Sequence, residues 1–161
     1  MRNKLRKHSA FDTIAPLLEQ INIKLVDIRK EELSNSVFYQ IVITNSEHNC
    51  GIDECAKTHK LLRPRLSILE NDSDIDMEVT TPGIQRNFRD FYEFSVFLNR
   101  PVRIYDNKIS AWLEGILTDV KEDEVTLHNA VIEDTKDIID EYRIPNDRIQ
   151  KAKLAYAWEN M

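Results

Sequence analysis

The sequence predicts an α+β protein in which an N-terminal α-β-β-α-β domain is followed by a small β-barrel. In the first half, apolar residues recur at helical spacing in two segments, and β-rich residues fill three others. After Pro101, several short β-rich segments follow one another with polar turns between them, which is typical of a small barrel. We therefore expect domains at residues 1–88 and 89–161, with the boundary near Phe88–Arg89.

The predicted N-terminal domain begins with a helix over about Ala10–Gln20, whose apolar residues recur every three or four positions. The β-rich segments Ile23–Arg29 and Val37–Thr44 are separated by polar residues, which predicts an antiparallel hairpin. Gly51 opens a second helix, and Glu54 three positions later supplies half of a capping box.

Two features of the following segment predict changes in chain direction. Pro64 removes a backbone hydrogen bond from the second helix, so we expect this helix to kink or break near Leu62–Arg63. A third strand is predicted at Ile75–Thr80, and it returns beside the earlier strands by a helical crossover. Pro82 and Gly83 end that strand; Gly83 is expected to have φ > 0, so that Gly83→Val would disturb the turn.

The predicted C-terminal domain begins with a short amphipathic helix, whose apolar face comprises Phe91, Phe94, Phe97 and Leu98. Gly115 lies inside a β-rich segment, where a single glycine marks a bend or bulge. The barrel strands are expected at Val102–Tyr105, Trp112–Val120, Glu124–His128, Ala130–Glu133, Ile138–Ile144 and Leu154–Trp158.

The composition excludes several classes of protein. The chain has only three glycines, and their spacing allows neither a P-loop nor a dinucleotide-binding turn. No apolar run approaches the roughly 18 residues of a membrane span, and two cysteines are too few for a disulfide framework. These properties predict a reduced, cytoplasmic protein without a membrane segment. Residues 1–9 are basic and are expected to form a mobile tail.

Charge is distributed unevenly along the chain. Residues 1–88 contain 12 Lys and Arg against 13 Asp and Glu, whereas residues 89–161 contain 10 against 15. An acidic second half suits a basic partner, although ordinary solubility would give the same excess. The acidic residues taken as candidates for binding such a partner are Asp119, Glu122, Asp123 and Glu124.

The second predicted helix is basic in its middle part. Between Glu54 and Glu70 every charged residue is a cation, and such side chains can neutralise phosphates and release counterions. A solvated helix face would show the same composition. The candidates for phosphate binding are Lys57, Lys60, Arg63 and Arg65 on this helix, together with Arg86 after the predicted turn at Thr80, Thr81, Pro82 and Gly83.

Catalytic and metal-binding motifs are absent from the sequence. Cys55 and His59 lie one helical turn apart, but two ligands do not make a metal site, and their apolar surroundings favour core packing. No nucleophile elbow is present. We therefore expect no enzyme activity, no metal and no cofactor; a small hydrolase would require a nucleophile and base brought together only by the fold.

One segment carries a family resemblance that extends along most of the chain. Glu78–Arg86 resembles the Glu-Val-Ser-Ser-Pro-Gly-Leu-Asp-Arg signature of the bacterial ribosome maturation factor RimP family. Trp112–Leu117 resembles the Phe-x-Gly-x-Leu strand of that family, and Ile144-Pro145 with the residues after it is similar to its C-terminal pattern. The resemblance covers roughly residues 12 to 156 in the right order.

The resemblance implies a non-catalytic protein with an α+β domain and an Sm/SH3-like β-barrel. It further implies binding to the free small (30S) ribosomal subunit during late maturation, with contacts to small-subunit protein twelve and to rRNA, by a protein that is a monomer. The alternative is a free-standing Sm-like RNA-binding module; such modules form rings, and the N-terminal domain would then have no role.

Overall fold

The computed structural model describes residues 1–71 and 74–155. The chain divides into two compact units, of which one comprises Lys4–Pro82 and the other Met1–Asn3 with the chain from Gly83 onward. This division falls a few residues before the boundary predicted at Phe88–Arg89. The predicted α+β class, with an N-terminal α/β region followed by a β-rich region, is confirmed.

The first unit has the predicted order of elements. They are α1 (Phe11–Glu19), β1 (Lys24–Glu32), β2 (Ser36–Thr44), α2 (Ile52–Leu69) and β3 (Asp74–Thr80). The sheet has the order β1-β2-β3: β1 and β2 form the predicted antiparallel hairpin, and β3 pairs in parallel with β2 after the helical crossover. Positions 72 and 73, in the acidic segment between α2 and β3, lie outside the described residues.

The core of this unit lies between the helices and one face of the sheet. Alternate residues of β2 (Val37, Tyr39, Ile41 and Ile43) are buried because side chains of a strand point to opposite faces in turn. Ile14 and Leu18 of α1 and Leu62 and Leu66 of α2 are fully buried at helical spacing. These buried rows determine which side of α2 remains exposed.

Of the two outcomes predicted for α2 at Pro64, a kink or a break, the break is wrong. The helix runs without interruption from Ile52 to Leu69 with Pro64 inside it. Pro64 and Lys60 are both exposed, so the Lys60 carbonyl that loses its helical partner can bond to water. The end of α2 is held by Glu70, which accepts hydrogen bonds from Lys30 Nζ at 2.7 Å and Tyr39 Oη at 2.5 Å.

In its described residues, the second unit contains one short α-helix and five strands. They are α3 (Glu93–Val96), β4 (Pro101–Asp106), β5 (Ala111–Val120), β6 (Glu124–Ile132), β7 (Ile138–Pro145) and β8 (Ile149–Leu154). All pairs are antiparallel, and the order is β7-β6-β5-β4-β8. The segments predicted as two strands at Glu124–His128 and Ala130–Glu133 form the single strand β6, within which Asn129 has φ 52°.

Two predicted boundaries in this unit differ from the structure. The last strand was expected at Leu154–Trp158, but β8 ends at Leu154, and residues 156–161 lie outside the described residues. The predicted helix after Phe91 is only one turn long. The rings of Phe88, Phe91, Phe94 and Phe97 pack on one another with centroids 5.0 to 5.4 Å apart, whereas Leu98 is 42% exposed.

The N-terminal residues are attached to the fold. The Met1 amino group donates a hydrogen bond to the Asn146 carbonyl at 3.0 Å, and the Phe91 N–H donates to the Arg2 carbonyl at 2.7 Å. Leu5 is 1% exposed and lies in a short 3₁₀ turn. This placement differs from the mobile tail expected for residues 1–9, because the basic side chains surround an apolar residue that is buried.

The five-stranded sheet curls so that strands far apart in its order meet. β7 and β4 are separated by two strands, which is about 14 Å in a flat sheet, and side chains stand roughly perpendicular to the strands. Nevertheless Tyr142 Oη of β7 donates to Asp106 Oδ2 of β4 at 2.9 Å. Arg148, just before β8, forms an ion pair with the same carboxylate and donates to Tyr142 Oη at 3.0 Å.

Asp106 is ionised in this cluster although its side chain is fully buried. Burial raises the pKa of Asp106, but the hydrogen bonds from Arg148, the Lys108 N–H and Tyr142 outweigh burial and hold it below its ordinary value of 3.8. A carboxyl whose pKa is lowered on folding contributes stability above its unfolded pKa, and this contribution is lost as the pH falls through the folded pKa.

Asp106→Asn should therefore lower the free energy of unfolding by about 3 kcal/mol between pH 5 and 8, because Arg148 loses its buried counter-charge. The difference from wild type should narrow below about pH 4. Urea unfolding across this pH range measures it. Exposed Asp140 provides the matched control as Asp140→Asn, and a gap that stays constant down to pH 2 would contradict the assignment.

Gly115 is required by a close backbone approach. A Cβ there would lie 3.1 Å from the His128 carbonyl oxygen and 3.2 Å from Ala130 Cα. The predicted bulge is confirmed, since the β5–β6 register shifts between Glu114 and Ile116. The expectation for Gly83 is wrong: no described glycine has positive φ, and a Cβ at Gly83 would have nothing within 4 Å.

Gly115→Val should consequently destabilise the protein by about 2 kcal/mol through overpacking against β6. Gly83→Val should change stability by less than about 0.5 kcal/mol, as at other unconstrained surface positions. Thermal unfolding of the two variants forms a matched comparison. Equal losses in both would show that the space around Gly115 does not decide the outcome.

Candidate functional site

The four cationic candidates of α2 are all exposed. Lys57, Lys60, Arg63 and Arg65 lie in the middle of the helix, and their side chains are exposed although Thr58, Leu62 and Leu66 are buried. At about 100° per residue, Lys57 and Lys60 occupy the centre of the exposed side and Arg63 lies on its flank, whereas Arg65 lies near the direction of Thr58, at the edge of the buried side. We call these four residues the α2 cation group.

The acidic residues of α2 lie at its two ends, and Glu54 at the N-terminal end attracts Lys57 electrostatically. Glu54 Oε2 accepts a hydrogen bond from the Gly51 N–H at 2.8 Å, which caps the helix as predicted and lowers the pKa of Glu54. At the other end, Glu70 is engaged by Lys30 and Tyr39. The α2 cation group therefore extends over about two turns of helix without an acid among them.

Arg86 occupies a different environment from the other candidates. Its Nε lies 2.6 Å from Glu93 Oε1, and the Arg86 side chain is only 14% exposed while Glu93 is fully buried. The other oxygen of Glu93 accepts hydrogen bonds from the N–H groups of Arg89 and Asp90, at 2.7 and 3.2 Å. The guanidinium thus neutralises a buried carboxylate, which gives Arg86 a structural role.

The segment Thr80–Gly83 ends β3 and carries the chain from one unit to the other. Thr81 and Gly83 are exposed, and Thr80 and Pro82 are half-buried. The Arg86 N–H donates to the Gly83 carbonyl at 3.3 Å, which forms a turn directly after the division. This segment contributes a connection, and the described side chains add no charged group to it.

The acidic candidates lie together at the turn between β5 and β6. Asp119, Glu122 and Asp123 are exposed and Glu124 is half-buried. The Lys121 N–H donates to the Glu124 carbonyl at 2.8 Å, and the Asn146 N–H donates to the Asp123 carbonyl at 2.6 Å. The backbone of this turn is therefore fixed while its carboxylates face solvent. We call these four residues the acidic hairpin.

The histidine, cysteine and carboxylate side chains among residues 1–71 and 74–155 form no cluster suited to a metal ion. No three His, Cys, Asp or Glu residues lie close enough there to hold a metal ion. His59 Nε2 lies 3.2 Å from the Met77 carbonyl oxygen. Burial raises the pKa of the Cys50 thiol to about 11 and also raises that of Cys55, so both thiols are protonated at neutral pH.

The sequence analysis missed a group of side chains on the outer face of β8, β4 and β5. Trp112, Tyr105, Arg103, Lys151 and Lys153 occupy alternate positions that the strand pairing brings side by side. Alternation within each strand identifies these residues as outward-facing. Only the order of the strands shows that they adjoin, because β8 is distant from β4 and β5 in sequence.

Comparisons with known proteins relate the chain to one family. The profile described as RimP N-terminal domain matches residues 13–85. The ribosome maturation factor RimP of Borrelia garinii subsp. bavariensis is 27% identical over 119 residues, which cover 72% of this chain and 78% of that protein. That of Borrelia turicatae is 25% identical over 146 residues, covering 90% of this chain and 93% of that protein.

The chain is similar to the ribosome maturation factors of the RimP family, in its N-terminal part to the family profile and over most of its length to these relatives. The resemblance drawn from Glu78–Arg86 is thereby confirmed. Among solved structures, the SmAP (LSm) protein from Methanococcus vannielii is 24% identical, with a TM-score of 0.37, and the alignment covers 41% of this chain and 94% of that one. Within residues 1–71 and 74–155, no helix has the length and apolar character needed to cross a membrane.

Arg86→Met should test the separation of Arg86 from the α2 cation group. Removing the guanidinium deprives the buried Glu93 carboxylate of its ion pair, which should cost about 3 kcal/mol of unfolding free energy. Arg65→Met removes the same charge from an exposed position and should cost less than about 0.5 kcal/mol. Urea unfolding measures both. Similar stability of the two variants would mean that Arg86 is not structural.

Proposed function

We propose that this chain is a RimP family member and that it binds the small ribosomal subunit in the cytoplasm, as a monomer, before that subunit is complete. It acts by binding and carries out no catalysis. A factor of this kind shifts a maturation pathway only if it binds the immature subunit more tightly than the finished one, because equal affinity for both states leaves their balance unchanged.

The observation that carries the proposal is the exposure of the α2 cation group. Surface lysines and arginines can each neutralise an rRNA phosphate and release counterions. All four side chains are exposed on a helix that also packs Thr58, Leu62 and Leu66 into the core. Arg86, which the sequence placed with them, is omitted from this proposed rRNA contact because of its pairing with Glu93.

The acidic hairpin is proposed to bind a basic ribosomal protein, which by family resemblance is small-subunit protein twelve. Three of its four acidic residues are exposed and Glu124 is half-buried, while hydrogen bonds fix the backbone of the turn. Opposite charge across an interface accelerates association and aligns the partners. The two surfaces thus have opposite sign, which suits a ribonucleoprotein containing both acidic RNA and basic protein.

Lys57→Glu combined with Lys60→Glu should weaken co-sedimentation with free small subunits and reduce the slope of log affinity against log salt by about 2. The physical reason is that two phosphate contacts, with their released counterions, are lost. Sedimentation of purified subunits with the protein over a salt series gives both quantities. An unchanged slope would remove the α2 cation group from the interface.

Two further variants serve as controls in the same series. Lys108→Glu with Lys136→Glu makes the same charge change at exposed positions outside both surfaces, and it should leave the slope within about 0.5 of wild type. Glu122→Lys with Asp123→Lys reverses the acidic hairpin, and it should abolish binding to isolated small-subunit protein twelve. Retained binding would overturn the role proposed for the hairpin.

A further inference from the structure

The outer face of β8, β4 and β5 carries aromatic rings among cations. Arg103 Cζ lies 5.2 Å from the centroid of the Trp112 ring, and Lys153 Nζ lies 5.5 Å from the same centroid. Tyr105 meets Trp112 edge to face, with centroids 5.6 Å apart and planes at 76°. We call Arg103, Tyr105, Trp112, Lys151 and Lys153 the Trp112 face.

The strand register explains why these residues adjoin. Tyr105 of β4 lies opposite Trp112 of β5 on one side and Lys151 of β8 on the other. Arg103 lies opposite Lys153 of β8 in the same way. Lys151 is exposed and the other four side chains are half-buried, so the face combines fixed positions with access to solvent.

Cation–π contacts explain why one cation lies beside Trp112, but they do not explain why several cations are grouped there. A cation beside an exposed indole contributes about 0.5–1 kcal/mol. A single cation is sufficient for such a contact with one ring. Here two cations adjoin one indole and a third lies exposed beside the tyrosine. Bases stack on aromatic rings while adjacent cations bind the backbone phosphates, which is the combination used by surfaces that bind single strands.

We propose that the Trp112 face binds single-stranded RNA, with a base stacked on Trp112 and phosphates beside Arg103, Lys151 and Lys153. Duplex RNA is excluded because its bases are stacked on one another and their faces are covered. The proposal rests on the proposed function for the source of the strand, which would be an unpaired rRNA segment of the immature subunit. It is independent of the α2 cation group, which binds phosphates without bases.

Glu133 distinguishes this role from a purely structural one. Its carboxylate lies 3.5 Å from Arg103 Nη2, and the two side chains are 47% and 31% exposed. In the free protein Glu133 therefore competes with an RNA phosphate for Arg103. Removing this competitor should strengthen RNA binding, whereas a face that only stabilises the fold would gain nothing from the loss of an ion pair.

The test uses the full-length protein with Trp158→Phe, which leaves Trp112 as the only tryptophan. Its fluorescence is followed during titration with a single-stranded oligouridylate of about twelve nucleotides, and in parallel with a duplex RNA of the same length. Stacking on Trp112 should quench its emission with the single strand and leave it unchanged with the duplex. Binding detected by anisotropy of labelled RNA without any quenching would overturn the proposal.

Affinity measurements on variants complete the test. Trp112→Leu should weaken binding of the single strand about tenfold, and Trp112→Phe, which retains an aromatic ring, should recover most of the loss. Lys153→Glu should reduce the salt slope by about 1, whereas Lys136→Glu, an exposed control in the same unit, should not. Glu133→Gln should tighten binding about threefold.

The outcomes separate this proposal from the function proposed above. If Trp112→Leu binds the oligonucleotide as wild type does, the Trp112 face is not an RNA site, and co-sedimentation with subunits still tests the α2 cation group. If subunits fail to bind but the oligonucleotide quenches Trp112, the RNA-binding role of the Trp112 face is supported and the proposed binding to the small ribosomal subunit is contradicted. Unchanged affinity in Glu133→Gln would show that Arg103 does not contact phosphate.

Discussion

The second unit depends on a buried carboxylate that joins three separate segments. Asp106 ends β4, and its two oxygens hold Tyr142 of β7 and Arg148 ahead of β8. Because β7 and β4 are not neighbours in the sheet, this contact requires the curl that turns an open antiparallel sheet into a barrel-like layer. That curl also sets the outward direction of alternate residues, and so the Trp112 face depends on it.

Two buried acids explain why counting charges along the sequence gives an incomplete account of the surface. Asp106 and Glu93 are both fully buried, and they form ion pairs with Arg148 and Arg86. These two arginines are therefore not available to bind a ligand. The cations of α2 have no fully buried acid on their own helix, because its acids lie in its first turn, where Glu54 attracts Lys57, and just after its end. A cation that neutralises a fully buried carboxylate is therefore not available for phosphates.

The order of helices and strands was predictable because apolar periodicity reports which faces are buried, and this signal is local. The continuity of α2 through Pro64 was not, since the cost of a proline depends on whether the freed carbonyl meets water. Gly115 could be assigned to a bulge, but the role of Gly83 could not be inferred from its sequence context. The pairing of Arg86 with Glu93 and the neighbours of Trp112 depend on tertiary contacts.

The left-handed residues have a consequence for the unfolded chain. Positive φ is found at Asn22, Asn71 and Asn99, among others, and at none of the glycines. A side chain restricts the unfolded backbone more than glycine does, so fewer conformations are lost on folding. Side chains at these turns therefore strain the folded backbone locally, but they also lower the conformational entropy of the unfolded chain.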